Sequence, residues 1–161
     1  MTIYVDLDGV LANMEGYVRA HFGDNWKAEI EKPNWGLVGD IHQRLYRDLH
    51  PMEDAYTLWN FLNEAYHDVQ VLTAIPKRAH FPYAVNDKRD WVHKHFGKNV
   101  KVNFGPYAYD KQFHCKPGDI LIDDMQINID QWNAVGGYGI LHTSAESSLE
   151  EFAKVIFGKS V

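Results

Sequence analysis

The sequence lacks the features that mark several large classes of protein. Its 161 residues include one cysteine, Cys115, so neither an intrachain disulfide nor a cysteine-based zinc cluster can form. No apolar run reaches the roughly 18–20 residues that a membrane-spanning helix needs. The start of the chain shows no basic region and no signal-peptide core. We therefore expect a cytoplasmic protein without membrane contact.

Positive charge is also scarce and scattered. The 16 lysines and arginines are outnumbered by 22 acids, the net charge is −6, and no Lys/Arg block occurs. Proteins that bind polymeric nucleic acid usually carry a basic stripe, so we expect no such partner. A small anionic ligand remains compatible with an acidic chain, because a metal ion or a local group of cations can hold it.

Short apolar runs alternate with helical patterns along the chain. Buried parallel strands are predicted at residues 3–7, 69–72, 120–122 and 138–141, with a weaker candidate at 100–104. Helices are predicted near residues 55–65, 82–96, 127–135 and 148–157. This alternation predicts an α/β fold of the Rossmann-like type, in which a parallel sheet carries helices on both faces.

One segment breaks the alternation. About 45 residues separate the first predicted strand from the helix at Ala55, which is too many for a single crossover connection. They contain a helical pattern near residues 41–49 and turn and aromatic residues, among them Trp26 and the run 33–36. We interpret residues 15–50, approximately, as a small helical insertion above the sheet of a single domain that spans residues 1–161.

Acidic residues stand at the ends of the predicted strands. Asp6 and Asp8 follow the first strand, Thr73 follows the second, and Asp123 and Asp124 follow the strand at 120–122. Ligands bind at the carboxyl ends of parallel strands. Four close carboxylates would repel one another unless a cation neutralises them, and Mg²⁺ prefers oxygen ligands of this kind. The pattern therefore predicts a magnesium site for an anionic ligand.

Each of these motifs alone has an ordinary structural explanation. Asp-x-Asp-Gly is common in turns and calcium loops, and an acid after a strand often caps a helix. Their joint occurrence at three predicted strand ends favours a functional interpretation.

The same residues resemble the motifs of the haloacid dehalogenase-like (HAD) phosphatases. The first motif of that superfamily, Asp-x-Asp-Gly, matches the run that begins at Asp6, and its strand-end Thr or Ser matches Thr73. A lysine and a strand-terminal acid pair complete the set, here Lys111 and Asp123-Asp124. Within the superfamily the chain is most similar to the 5′(3′)-deoxyribonucleotidases, over residues 8–15, 49–55, 90–97 and 109–124.

The resemblance implies a magnesium-dependent phosphomonoesterase for nucleoside monophosphates, with the insertion acting as a cap. It implies that Asp6 is the nucleophile that forms an aspartyl-phosphate and that Asp8 is the general acid and base. Mg²⁺ would be held by Asp6, the backbone carbonyl of Asp8, and Asp124, with Asp123 nearby. Many members of the family are dimers, so a homodimer is also implied.

Phosphate and substrate contacts can be assigned in the same way. The resemblance places Thr73, the Ala74 amide and Lys111 at the phosphate, although Lys116 competes with Lys111 for the lysine motif. Met14, Trp35 and Lys88 are candidate substrate contacts, with Met14 replacing an aromatic ring of the family. The family commonly has Ser-Pro after the motif threonine, where this chain has Ala74 followed by Ile75 and Pro76.

Two other functions fit part of the pattern. A HAD phosphatase that acts on a sugar phosphate or another small metabolite would need the same core motifs. A phospho-accepting module similar to response-regulator receivers also combines an acid pair, a phosphorylated Asp, a Thr and a Lys. In receivers, however, the acid pair precedes the phosphorylated residue, whereas here it comes late. Lys77 and Arg78, which follow the threonine motif, are expected to face solvent.

Overall fold

Five parallel strands form a single sheet. The computed structural model describes residues 1–23, 35–105 and 107–158. The strand order is β3-β2-β1-β4-β5, so β1 lies at the centre, between β2 and β4. The strands are β1 (Ile3–Val5), β2 (Val69–Thr73), β3 (Val102–Phe104), β4 (Ile120–Asp123) and β5 (Tyr138–Leu141).

Helices surround the sheet and fill the segment between β1 and β2. Within the described residues they are α1 (Met14–Phe22), α2 (Trp35–Ile41), α3 (Leu45–Asp48), α4 (Ala55–Ala65), α5 (Ala84–Phe96), α6 (Gln126–Ala134), α7 (Ala145–Phe157) and a 3₁₀-helix (Ala108–His114). None of the helices in these ranges is long and apolar enough to cross a membrane.

Apolar side chains pack on both faces of the sheet. Successive residues of a strand point to opposite faces, and accordingly Ile3 and Val5 belong to the larger core cluster while Tyr4 belongs to the smaller one. The smaller cluster is anchored by Trp132 of α6, which is fully buried and donates its indole N–H to the Asp119 carbonyl at 3.0 Å. The predicted α/β fold with helices on both faces is confirmed.

The central strand ends earlier than the sequence predicts. β1 stops at Val5, because the chain from Leu7 onward closes a tight loop in which the amides of Leu11 and Ala12 donate to the Leu7 carbonyl. The helix predicted at residues 55–65 is present with those bounds. Helix α1 was not predicted, since it contains Gly16 and buries only Met14 and Val18.

The insertion contains α1, α2 and α3 in its described part, and Trp26 and residues 33–34 lie outside the described residues. Arg44, directly before α3, donates two hydrogen bonds to Asp87 of α5, at 2.8 and 2.6 Å. The Asp87 side chain is almost completely buried. This bidentate pair fixes α3 to the core helix that also carries Lys88.

Candidate active site

Three neighbouring strands bring the predicted motifs to one edge of the sheet. Asp6 follows β1, Thr73 ends β2 and Asp123 ends β4, and β1 pairs with both other strands. Carboxylate oxygens of Asp6, Asp123 and Asp124 all lie within 4.8 Å of one another. The sheet therefore places the acids of the two aspartate motifs side by side, as their strand-end positions predicted.

The loop after β1 requires a glycine. Gly9 has a φ of +85°, a conformation that L-residues with side chains rarely adopt. A Cβ atom at this position would also collide with the carboxylate of Asp124. Glycine thus lets the loop that carries Asp8 lie directly against the acid pair that follows β4.

Lys111 is the cation at the centre of this acidic cluster. It comes from the 3₁₀-helix, and its ammonium lies 2.7 Å from Asp6 Oδ1 and 2.6 Å from Asp123 Oδ2. Burial lowers the pKa of Lys111, but the attraction of Asp6 and Asp123 outweighs this effect and the pKa is raised. Lys116 is exposed and only its backbone N–H contacts an acid, Asp119. The structure brings Lys111, and not Lys116, to the first motif.

Two acids of the cluster, Asp6 and Asp124, have a pKa above that of an ordinary carboxyl. Burial raises the pKa of Asp6 to about 8, with repulsion from Asp123 and Asp8 adding to it and Lys111 opposing it. Desolvation and the neighbouring Asp123 raise the pKa of Asp124 to about 6. A cation bound here would replace these protons. The donor set consists of closely spaced carboxylate oxygens, which fits a hard divalent ion such as Mg²⁺.

Asp8 is held by a second buried lysine. Lys88 of α5 donates to Asp8 Oδ2 at 2.6 Å, to the Thr73 hydroxyl at 3.1 Å and to the Ala74 carbonyl at 2.8 Å. Its ammonium also lies 4.4 Å from the centroid of the Tyr46 ring. All three donors of the ammonium are therefore used. Lys88 belongs to the core and not to the insertion, and it links the first motif to the second.

The two oxygens of Asp8 differ in their surroundings. Oδ2 accepts the Lys88 hydrogen bond, whereas Oδ1 is buried and has no hydrogen-bond partner among the described residues. A buried carboxylate oxygen without a partner is costly. Asp8 also lines the cavity over the cluster, so a carboxyl with one uncommitted oxygen suits a group that exchanges a proton with a ligand.

Thr73 and Ala74 occupy different positions relative to the cavity. Thr73 is fully buried, and its hydroxyl donates to the Ala74 carbonyl at 3.3 Å while it accepts from Lys88. Ala74 lines the cavity in front of Asp6, but Thr73 does not. Thr73 thus helps to hold the backbone of Ala74, which lines the cavity.

A cavity of about 240 Å³ opens over the cluster. Its floor is formed by Asp6, Asp8, Lys111 and Asp124, and Met14 and Trp35 line it from the first residues of α1 and α2. The other lining residues are Gly9, Glu15, Ala74, Ala108, Met125 and Asn128. Of the three substrate contacts suggested by the sequence, Met14 and Trp35 lie at the cavity, while Lys88 lies behind Asp8.

Asn128 is a site residue that the sequence did not suggest. Its amide nitrogen lies 3.0 Å from each oxygen of Asp123, which also accepts the Met125 amide at 2.9 Å. The Asn128 side-chain oxygen is buried without a partner among the described residues. The sequence indicates this role only weakly: Asn128 is an amide residue in the first turn of the helix that follows the acid pair. With Lys111, these donors saturate Asp123 and fix its orientation.

The fold is similar to several solved structures. A HAD family enzyme from Bacteroides thetaiotaomicron is 13% identical with a TM-score of 0.53, over 94% of this chain and 97% of that one. A hydrolase from Streptococcus pneumoniae TIGR4 is 14% identical with a TM-score of 0.54, over 96% and 97%. At these identities the likeness shows the fold alone. The comparison with curated proteins found no match.

A family model covers nearly the whole chain. The model described as "5′ nucleotidase, deoxy (Pyrimidine), cytosolic type C protein" matches residues 1–155. This match confirms the resemblance inferred from the motifs at Asp6, Thr73 and Asp123, and it excludes the receiver-like alternative. The chain belongs to the deoxy (pyrimidine) cytosolic type C 5′-nucleotidase family, whose members are phosphoric monoester hydrolases with the HAD-like fold.

Proposed function

We propose that the protein hydrolyses nucleoside monophosphates, with deoxynucleotides preferred, in a magnesium-dependent reaction that passes through an aspartyl-phosphate on Asp6. One observation carries the proposal above all. The Asp6 carboxylate lies at the end of the central strand, 2.7 Å from Lys111 and within 4.8 Å of the acid pair, and it faces the cavity. A nucleophile, a fixed cation and a divalent-ion donor set are thus combined at one point.

In the first step a carboxylate oxygen of Asp6 attacks phosphorus and forms an acyl-phosphate bond. The bond from phosphorus to the ester oxygen breaks, and the leaving alkoxide takes the proton of the Asp8 carboxyl. The partnerless Oδ1 of Asp8 is the atom available for this transfer, because Oδ2 is held by Lys88. Lys111 and the Ala74 amide stabilise the charge that develops on the other phosphate oxygens.

In the second step Asp8 acts as a base. It removes a proton from a water molecule, and that oxygen attacks phosphorus while the bond to Asp6 breaks. Inorganic phosphate leaves, and both aspartates return to their starting states. Lys88 positions Asp8 in both steps through its contact with Oδ2 at 2.6 Å.

Magnesium would be bound by Asp6 and Asp124, with the Asp8 carbonyl as a further ligand, while Asp123 is already saturated by its hydrogen bonds. Bound there, it would screen the repulsion between the anionic nucleophile and the phosphate dianion. This assignment rests on the closely spaced carboxylate oxygens and on the raised pKa values of Asp6 and Asp124.

The nucleoside end of the substrate would lie against the insertion. Trp35 and Met14 supply the apolar wall of the cavity, and stacking of a base on an aromatic ring is worth about 1–3 kcal/mol. The family match supports nucleotides over sugar phosphates or other metabolite phosphates as the substrate class.

A substrate panel tests the proposal. Phosphate release would be measured from deoxy- and ribonucleoside monophosphates and from sugar phosphates, with Mg²⁺ and with EDTA. We expect metal-dependent turnover that is strongest on deoxynucleotides. Turnover confined to sugar phosphates would keep the mechanism and overturn the substrate class, and equal turnover in EDTA would overturn the metal assignment.

A further inference from the structure

A second cavity, of about 420 Å³, lies next to the catalytic pocket. Two short segments of the chain separate the cavities. Ala74 lines the catalytic pocket and its neighbour Ile75 lines the second cavity. In the same way, Ala108 lines the catalytic pocket and Tyr107 lines the second cavity. We call this second cavity the basic groove. A ligand bound in it would lie against the backbone of residues 74–75, whose Ala74 end lines the catalytic pocket.

Among the described residues, the lining of the basic groove includes two cations and no acid. Lys77 and Arg78 are exposed, and neither forms an ion pair with a carboxylate in the described part of the chain. In the catalytic pocket, by contrast, Lys111 lies between two aspartates. Two adjacent unpaired cations in a concave site, on a chain of net charge −6, favour an anionic ligand. The planar guanidinium of Arg78 suits a phosphate, which it can bind through two hydrogen bonds.

The remaining walls suit an organic ring. Pro82 and Val85 supply apolar surface, and the side chain of Asn86 supplies an amide. Tyr107 is exposed and stacks on Tyr109, with ring centroids 5.8 Å apart and planes inclined by 14°. A flat ring that is already supported by a neighbour loses little freedom when the sugar of a substrate packs on it. The cations, the amide and the ring therefore suit a phosphate that is esterified to a nucleoside, whose base would lie against Trp35 and Met14 in the catalytic pocket.

We propose that the basic groove binds a second phosphate ester of the substrate, beyond the one that is hydrolysed. The ligand class is a nucleoside that carries two separate phosphates, such as a deoxynucleoside 3′,5′-bisphosphate. The proposal rests on the proposed function only for the identity of the phosphate in the catalytic pocket. A separate nucleotide in the groove would have the same chemistry, and the experiment distinguishes the two sources.

The test reverses the charge of the groove. Lys77→Glu/Arg78→Glu is compared with Lys94→Glu/Lys98→Glu, which makes the same change of net charge at two exposed lysines outside both cavities. Lys77→Gln/Arg78→Gln serves as a milder second variant. Calorimetric titration in EDTA, where turnover does not interfere, measures the affinity for a deoxynucleoside 3′,5′-bisphosphate and for the matching 5′-monophosphate.

We expect the unmodified protein and the control variant to bind the bisphosphate about tenfold more tightly than the monophosphate, in line with charge-assisted contacts to one extra phosphate. Both groove variants should lose this preference. If the monophosphate instead binds at two sites per chain and the groove variants retain only one, the groove takes a separate nucleotide. Unchanged affinities and stoichiometry in the groove variants would overturn the proposal.

Turnover of the monophosphate with Mg²⁺, measured on the same proteins, separates this inference from the proposed function. If the unmodified protein hydrolyses no nucleotide, the proposed function fails while the binding result stands. If turnover is normal and the groove variants bind as the control does, only the groove assignment fails.

Discussion

The two neighbouring cavities of this molecule differ in whether their cations are buried and paired with carboxylates. At the catalytic pocket the cations are buried and already paired: Lys111 lines the pocket and pairs with Asp6 and Asp123, and Lys88 lies behind Asp8 and pairs with it. In the basic groove Lys77 and Arg78 are exposed, and no carboxylate of the described residues pairs with either. Buried pairs fix the geometry of the side chains before a ligand arrives, whereas exposed cations are free to turn toward an anion when it binds.

This difference predicts how each region responds to substitution. Breaking a buried pair leaves an uncompensated charge and costs several kcal/mol. Removing an exposed charge costs little stability, and its effect on binding is screened by salt. Substitutions should therefore have their largest effects in the pocket and their smallest effects in the groove.

Loss of the nucleophile should have the largest effect. Asp6→Asn keeps the size of the side chain but cannot form the acyl-phosphate, so kcat on a deoxynucleoside monophosphate should fall at least about 10³-fold. Asp130→Asn removes a charge from an exposed position on α6 and should leave kcat unchanged. Substantial turnover by Asp6→Asn would assign the nucleophile to another group.

Lys111 and Lys116 can be compared directly, because both are candidates for the lysine motif. Lys111→Ala should lower kcat about 10²-fold by removing the fixed cation from the phosphate. It should also lower the free energy of unfolding in EDTA by about 3–5 kcal/mol, because Asp6 and Asp123 are left without their counter-ion. Lys116→Ala, at an exposed residue, should change neither value. Steady-state kinetics measures kcat, and urea unfolding measures the free energy of unfolding. If Lys116→Ala lowered these values more than Lys111→Ala, Lys116 would be the lysine of the motif.

Lys88 should act through Asp8. Lys88→Met removes the ammonium that holds Asp8 Oδ2 but keeps much of the aliphatic stem, so we expect kcat to fall about tenfold or more, within the range of general acid–base contributions. KM should change less, because Lys88 does not line the cavity. Lys94→Met, on the exposed side of the same helix, is the control. A change confined to KM would instead make Lys88 a substrate contact.

The acidic cluster should give the metal-free protein an unusual pH dependence. The folded state raises the pKa of Asp6 from 3.8 to about 8, so protonated Asp6 stabilises the fold at low pH and this contribution is lost as the pH rises through about 8. The slope cannot exceed about 1.4 kcal/mol per pH unit for one proton. In EDTA the melting temperature should be lower at about pH 8 than at about pH 5. In Asp6→Asn this difference should be smaller.

Magnesium should reverse that effect. At the proposed site Mg²⁺ would bind ionised carboxylates, so it should raise the melting temperature of the unmodified protein most at the higher pH and stabilise Asp6→Asn much less. Equal stabilisation of both proteins would place the metal away from Asp6.

The groove should contribute least to simple turnover. Lys77→Glu/Arg78→Glu should leave kcat/KM for a monophosphate within about twofold, because neither residue contacts the catalytic pocket and exposed charges act weakly at a distance. A loss of tenfold or more on a monophosphate would show that the two cavities are not energetically separate.

The sheet and the acidic motifs could be predicted because they depend on local patterns. Continuous apolar runs such as residues 120–122 are typical of strands buried on both faces, and a parallel sheet places the ends of its strands at one edge. Asp6, Asp8, Thr73 and the acid pair could therefore be assigned to one site. The match of the family model is independent of this argument and agrees with it.

The contacts made by side chains from distant elements could not be predicted in this way. Lys88 lies 80 positions from Asp8, and nothing in its local sequence separates a buried lysine from one on a solvated helix face. Asn128 resembles an ordinary residue of a helical first turn. Helix α1 was not predicted because its apolar stripe is short and the helix contains Gly16. Its stability must therefore come from packing against the core and not from local helix preference.

The central claim is that phosphate is transferred to Asp6 before it reaches water. The most direct test is mass spectrometry of the protein quenched in acid during turnover of a deoxynucleoside monophosphate with Mg²⁺. We predict a phosphoryl adduct on the peptide that contains Asp6, absent in EDTA and in Asp6→Asn. Rapid turnover with no adduct on that peptide, together with activity retained by Asp6→Asn, would contradict the account.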